Sequence, residues 1–420
     1  MASSSSSSQN PLFSPLTIGT IGTNMHRVAL APLTRLRADE PGLTPRKMHI
    51  DYYSQRASRG GLLISEATFI SPESHGYNHA PGIWTEAQVD AWKKVTDAVH
   101  MKGGKITCQL WHIGRVSHKS WVHHPLVKAY KDIWQPGVSA SSIAISGLKS
   151  RDFETGERVP ASVPRSLRTD EIPRLVNDYV HAAQCAMRAG FDGVEVHAAH
   201  GYLIDQFLNS GSNKRTDKYG GSIENRCRLL FEVLDAVSKV VGPGKCAVRL
   251  SPHAPGTNIY SDCSDPDPDA LFTYAIKGIN KFPLAYLLLT EPRWDGRKDD
   301  LVENDPGFNM PVINGPKFRK YYKGTLILAG GFTPKSAKEA VKSGLCDAIA
   351  FGRWFISNPD LPARLKSGIP LNRYDRKTFY SYSTLGYTDY PTAEEVGMRE
   401  NKYTQIEQNK IGASLANAKL

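Results

Sequence analysis

Two stretches near the end of the chain decide the fold: Thr325-Leu326-Ile327-Leu328-Ala329-Gly330-Gly331-Phe332-Thr333-Pro334, and then Asp347-Ala348-Ile349-Ala350-Phe351-Gly352-Arg353. Each is a short unbroken apolar run ending in glycine. Such runs suit parallel strands covered on both faces. Between them, Thr333 precedes Pro334 at a first helical position and Gly344 supplies the stop. Cap, Pro and Gly in that order predict one helix joining two strands. Working outward, similar runs lie at 27–31, 62–70, 105–110, 193–197, 246–251 and 285–290. Amphipathic segments fall between them. After Thr85, Val89, Trp92, Val95 and Val99 recur at helical spacing before Gly103. After Thr169, the same holds for Leu175, Tyr179, Ala182, Ala183 and Ala186 before Gly190.

Eight strands alternating with helices predict a single α/β domain, a (β/α)8 TIM barrel. A doubly wound sheet is the competitor; it wants G-x-G-x-x-G after an early strand, and the sequence has none. Segment 111–168 reads as a long insertion after strand 3, a loop or hairpin over one barrel face. Residues 10–24, with Thr17-Ile18-Gly19 and Ile21-Gly22-Thr23, read as an N-terminal hairpin lid on the other end. The expected organisation is a disordered Ser-rich tail at 1–10, the barrel at 11–395 and a C-terminal tail at 396–420.

Composition narrows the class. No run of about 18 apolar residues exists, so a transmembrane helix is excluded. The net charge of +11 comes from 52 basic and 41 acidic residues spread along the chain. Without basic blocks or a nucleic-acid motif it reads as a solvated surface, compatible with phosphorylated small molecules. The six cysteines (Cys108, Cys185, Cys227, Cys246, Cys263 and Cys346) form no C-x-x-C pair, which disfavours a disulfide scaffold or zinc ribbon. Reduced thiols and a cytoplasmic location fit better. The alternative is peroxisomal, since Ala418-Lys419-Leu420 resembles the S-K-L address.

In such barrels the chemistry sits at the C-terminal ends of the strands. Read there, the sequence offers Pro32, Leu33, Thr34 and Arg35; Glu66, Ala67 and Thr68; Gln109, Trp111, His112 and Arg115; His197, His200 and Tyr202; Arg249; Glu291; and the two glycine turns. All these polar groups are expected at one mouth. Glycines after strands 7 and 8 let backbone N–H groups approach an anion. Arg353 adds a bidentate cation. Arg249, in an otherwise apolar strand, needs an anionic or carbonyl partner. A heterocycle with N–H and C=O edges would satisfy it together with Gln109. His197 and His200, at i and i+3, admit three readings: core histidines, metal ligands lacking an obvious third donor, or paired donors to a carbonyl oxygen. A tyrosine hydroxyl, ordinarily ionising near about 10, gives Tyr202 a proton to deliver.

These motifs resemble the Old Yellow Enzymes, FMN-dependent ene-reductases, and within them the 12-oxophytodienoate reductases. The resemblance is carried by Ala31–Arg35, Ile64–Thr68, Gln109–Arg115, His197–Asn209, Arg215–Arg226, Ala329–Phe332, Phe351–Arg353 and Gly386–Pro391. It implies that Pro32, Leu33, Thr34 and Ala67 meet the flavin ring, that Gln109 and Arg249 meet its pyrimidine edge, and that Gly331, Gly352 and Arg353 hold the FMN phosphate. It implies that His197 and His200 clamp a substrate carbonyl, that Tyr202 is the proton donor, and that Tyr387 lies over the substrate pocket. No metal is implied. The implied activity is ping-pong: NADPH reduces the flavin, and an α,β-unsaturated ketone or aldehyde then takes hydride through flavin N5 across its C=C bond. The implied partners are small-molecule enones, with neither nucleic acid nor membrane, in a monomer or homodimer. Segment 116–168 departs from the family pattern and is expected to shape the substrate mouth. Two rivals are a non-catalytic flavin-binding barrel and a Schiff-base aldolase. The latter needs a Lys where Thr290-Glu291 stand.

Overall fold

The computed structural model describes residues 10–130, 135–147, 149–253, 265–293 and 311–397. The Ser-rich start, Cys263 and the C-terminal tripeptide lie outside them. The eight barrel strands are β1 (Val28–Leu30), β2 (Leu62–Ile64), β3 (Lys105–Trp111), β4 (Gly193–His197), β5 (Cys246–Leu250), β6 (Leu284–Thr290), β7 (Leu326–Ala329) and β8 (Ala348–Phe351). Each pairs in parallel with its successor, β8 pairs with β1, and β3 with β4, so the sheet closes on itself. Residues 62–70 do not form one strand. Ladder pairing stops after Ile64 and resumes at Thr68–Phe69; between them side chains take the bonds, Ser65 Oγ accepting the Gln109 N–H and the Tyr53 hydroxyl accepting the Glu66 N–H.

The helices behind the strands are α1 (Lys47–Arg56), α2 (Glu86–Met101), α3 (Ile172–Arg188), α4 (Arg228–Val241), α5 (Pro268–Ile279), α6 (Asn314–Phe318), α7 (Pro334–Lys342) and α8 (Leu361–Ser367). Their starts follow the sequence signals. Thr85 accepts from Gln88 N–H ahead of α2, and Thr333 from Ser336 N–H ahead of α7. The apolar faces of the helices pack on the outside of the barrel, around Trp92, Tyr179, Leu230 and Phe272.

A second cluster fills the barrel itself, and its N-terminal end is closed by the hairpin Leu16–Ile18/Gly22–Met25. Ile18, Ile21 and Met25 join Ala29, Ala247, Tyr286 and Leu288 there. Gly19 makes the fit possible: at φ +49° it lies so near the chain before β5 that an added Cβ would sit 2.2 Å from the Gly244 carbonyl oxygen. At the opposite end, the insertion after β3 carries the hairpin Lys149–Arg151/Arg158–Pro160 and a parallel pair, Val138–Ser139 with Arg165–Ser166. Ile113, Val116 and Ile145 from it pack against Phe69 and Trp111 beside the barrel mouth.

The last part of the chain is tied back to β1 and α1. Arg35 donates to the Phe379 and Gly386 carbonyls (3.0 and 2.8 Å), and Arg37 to those of Ser383 and Thr378 (2.7 and 2.9 Å). Arg56 reaches the carbonyls of Ile356 and Tyr387 (2.6 and 3.2 Å). All three guanidiniums are buried, so they need these carbonyl partners to offset desolvation.

Candidate active site

A cavity of about 900 Å³, its open mouth included, lies at the C-terminal ends of β1 and β5–β8. Pro32, Leu33, His200, Arg249, Thr290, Gly331, Gly352 and Arg353 are among its lining residues. Inward-facing positions alternate along each strand. On β4 these are Glu195 and His197; on β5, Ala247 and Arg249; on β6, Leu288 and Thr290. Register sets Glu195 beside Gln109, and His197 beside Arg249. The small Ala329 and Ala350 on β7 and β8 leave the space above them open.

Arg249 lies nearly buried at the cavity floor, and its Nε donates to Thr290 Oγ1 at 3.2 Å. Burial lowers its pKa, while Glu195 works against that. Gln109 Nε2 donates to Glu195 Oε1 at 2.6 Å. The amide oxygen is thereby left to accept from an N–H group. Burial raises the Glu195 carboxyl, opposed by Arg249 and by the bond from Gln109.

His197 ends β4. Its Nδ1 accepts the Ala199 N–H at 3.3 Å, so the neutral ring carries its proton on Nε2. His200 has a left-handed backbone (φ +60°), and its N–H donates to Ser251 Oγ at 2.8 Å. The two imidazoles stand edge to face, with centroids 5.3 Å apart. Burial, reinforced by the Arg249 charge, holds both pKa values well below the usual imidazole range. Both rings are therefore neutral at neutral pH. Tyr202 stands before the helix Leu203–Leu208, its ring edge-on to His197 (5.1 Å) and to Trp111 (5.0 Å). Asp205 fixes the turn between the histidines and this tyrosine: Oδ2 accepts Gly201 N–H (2.7 Å) and Oδ1 accepts from Asn209 (3.0 Å). Burial pushes the Asp205 carboxyl up to about 7.

At the other end of the cavity, Gly330 and Gly331 adopt φ +110° and +65°. A Cβ on Gly330 would fall 2.8 Å from the Glu291 carbonyl oxygen, so only glycine fits the turn. Arg353 opens the short helix Arg353–Ser357 and donates from Nη1 to the Tyr374 hydroxyl at 2.9 Å. The donor set is a buried guanidinium, an amide oxygen, a glycine-lined end and a cation. This fits a flat heterocycle with N–H and C=O edges and an anionic tail, as FMN has. Among the described residues, no group of three His, Cys, Asp or Glu is arranged to hold a metal ion.

Several expected site residues lie elsewhere. Tyr387, expected over the pocket, is fully buried and stacked on Tyr52 (4.2 Å), with the Arg37 guanidinium 4.4 Å from its ring. The arginine ties to the terminal segment draw it into that packing. Thr34 and Ala67 flank the cavity without lining it, Thr34 half-buried and Ala67 buried. Arg35, Glu66, His112 and Arg115, expected at the mouth, are engaged by other partners, and Glu291 lines the cavity with its carboxylate tied to a helix start. Glu66 accepts the Arg35 N–H, and burial pushes its carboxyl up to about 7. His112 faces Glu73, and Arg115 is directed to the Ile143 carbonyl. Glu291 accepts the N–H groups of Ile313, Asn314 and Gly315 and so caps α6. Sequence reasoning missed Glu195, Asp205 and the bridging role of Thr290. For Glu195 the signal was present: in Gly193-Val194-Glu195-Val196-His197, the glutamate alternates onto the same face as His197.

The model of the NADH:flavin oxidoreductase / NADH oxidase family matches residues 11–372. The chain is 46% identical to putative 12-oxophytodienoate reductase 11 of Oryza sativa subsp. japonica, covering 92% of this chain and 98% of that one. It is 44% identical to 12-oxophytodienoate reductase 2 of Arabidopsis thaliana, covering 91% and 96%. Among solved structures, morphinone reductase superposes with a TM-score of 0.80 at 44% identity, covering 92% and 98%. No described helix is long and apolar enough to cross a membrane. By sequence along nearly its whole length and by its closed barrel, the chain belongs to the NADH:flavin oxidoreductase family, the Old Yellow Enzymes.

Proposed function

We propose that the protein is an NADPH-dependent ene-reductase that reduces the C=C bond of α,β-unsaturated ketones and aldehydes. The observation that carries this is the pair of neutral imidazoles, His197 in register with the buried Arg249 and His200 edge to face with His197, with His200 and Arg249 lining a cavity open to small molecules. FMN, when bound, would supply the two-electron redox chemistry that links NADPH to the enone. Pro32 and Leu33 would hold the FMN ring with Thr34 and Ala67 flanking it, Gln109 and Arg249 would meet its pyrimidine edge, and Gly331, Gly352 and Arg353 would hold its phosphate.

The rest is the chain's own work. His197 and His200 donate hydrogen bonds to the enone oxygen and so polarise the double bond toward its β-carbon. One such donor, aimed where charge develops, is typically worth about 3 kcal/mol. Neutral donors suit the task, because they stabilise the developing oxyanion without giving up a proton to it. The Tyr202 hydroxyl delivers the proton to the α-carbon. Asp205 holds the turn on which both groups depend.

The names of the relatives, oxophytodienoate and morphinone reductases, support this class of substrate. The test is anaerobic: NADPH should bleach the yellow holoprotein, and cyclohexenone should restore the colour. A bleached protein that cyclohexenone leaves bleached points to the non-catalytic flavin-binding reading. A preparation that stays colourless with added FMN overturns both.

A further inference from the structure

Thr290 ends β6, half-buried, and lines the cavity. Two groups from other strands reach its hydroxyl oxygen: Arg249 Nε from β5 at 3.2 Å, and His200 Nε2 from the turn after β4 at 3.0 Å. The arginine nitrogen can only donate. Thr290 then has its own proton and one further lone pair to offer, and the His200 ring nitrogen can meet either. The two choices give opposite tautomers. If Nε2 donates, Nδ1 is a bare acceptor and repels a carbonyl oxygen. If Nε2 accepts, the ring proton sits on Nδ1 and is available to one.

The positive charge of Arg249 decides between them. An oxygen that accepts from a guanidinium is polarised; its own O–H becomes a better donor, and the oxygen a poorer acceptor of a second N–H. His197 needs no such device, because the Ala199 N–H already assigns its proton to Nε2. The His200 main chain is also fixed independently, through Ser251.

We propose that Thr290 is a positioning residue that sets the His200 tautomer, accepting the Arg249 Nε–H and donating its hydroxyl proton to His200 Nε2, so that His200 Nδ1–H faces the substrate oxygen. The inference rests on the carbonyl-clamp reading above. It makes the cavity-floor cation and the clamp two ends of one hydrogen-bond chain.

The test compares Thr290→Val, which removes the hydroxyl at nearly constant shape, with Thr290→Ser, which keeps it. In the FMN holoenzyme, titration with 4-chlorophenol should show affinity about tenfold weaker in the Val variant and close to wild type in the Ser variant. In a His200→Ala background, Thr290→Val should cause no further loss, because the effect passes through that ring. An unchanged affinity in the Val variant, or an equal loss in the His200→Ala background, overturns the proposal. Nitrogen-15 NMR of the histidine side chains adds a readout that needs neither flavin nor phenol. In wild type, His200 Nε2 should be unprotonated; a proton found on it refutes the role of Thr290 whatever the outcome of the enone assay. If wild type shows the expected tautomer but does not bind the phenol, the functional reading fails and the role of Thr290 in setting the tautomer stands.

Discussion

Replacing Tyr202 by Phe removes one oxygen and little else. The ring packs edge-on to Trp111 and His197 at 5.0 and 5.1 Å, and Phe retains both contacts. Such pairs contribute about 0.5–1.5 kcal/mol each. The helix that follows, Leu203–Leu208, starts from main-chain bonds that the substitution leaves alone. The fold should therefore lose no more than about 1 kcal/mol, the worth of one hydroxyl hydrogen bond. Catalysis is another matter. A positioned general acid typically contributes about 10²–10⁴ in rate, which is about 2.7–5.4 kcal/mol of barrier. That loss should fall entirely on the half-reaction that needs a proton at carbon. Anaerobic stopped-flow separates the two: flavin bleaching by NADPH should proceed at nearly the wild-type rate, while recovery of colour with cyclohexenone should slow by the factor above. Equal slowing of both halves would mean that Tyr202 shapes the site rather than supplying the proton. An unchanged second half would remove it from the mechanism.

His197→Ala should weaken 4-chlorophenol binding about tenfold, about 1.4 kcal/mol, because it removes a neutral Nε2–H donor whose tautomer the backbone fixes; undiminished affinity in a colour titration would contradict the clamp. Asp205→Asn should change the pH dependence of stability. The folded state holds the Asp205 proton up to about 7, against 3.8 for the ordinary carboxyl, so its contribution is complete below the lower value and is lost as pH rises to the higher one. Relative to wild type, the Asn variant should gain up to about 4 kcal/mol across that window and nothing further above it. Thermal unfolding at pH 5 and pH 8 measures this, and a difference that does not change with pH would show that Asp205 is not held protonated.

Much of the architecture was legible because a parallel barrel writes itself in apolar runs and capped helices. All eight strands stand where those runs lie, and α2 and α7 begin at Thr85 and Thr333 as their caps require. The break at Ser65–Ala67 was hidden, because an apolar run does not reveal where its neighbour stops pairing. At the site, residues on strands were easier to place than residues on turns. Arg249 and Gln109 had to face inward, and period two says so. Glu66, His112, Arg115 and Glu291 share the same mouth in sequence order, yet each is taken by a partner remote in sequence or by the start of a helix. No local pattern announces such partners. Tyr387 illustrates the same limit, since its position depends on three arginines far upstream.

Those three arginines have a consequence for the order of events as the protein is made. Arg35 and Arg37 follow directly on Pro32 and Leu33, which line the cavity, yet their partners are carbonyls near the far end of the polypeptide. A nascent chain that has released β1 into solvent therefore holds two cations with no place to settle until residues 378–386 emerge from the ribosome. The cavity wall at Pro32 and Leu33 is thus synthesised early, while the carbonyls that hold the arginines beside it come late.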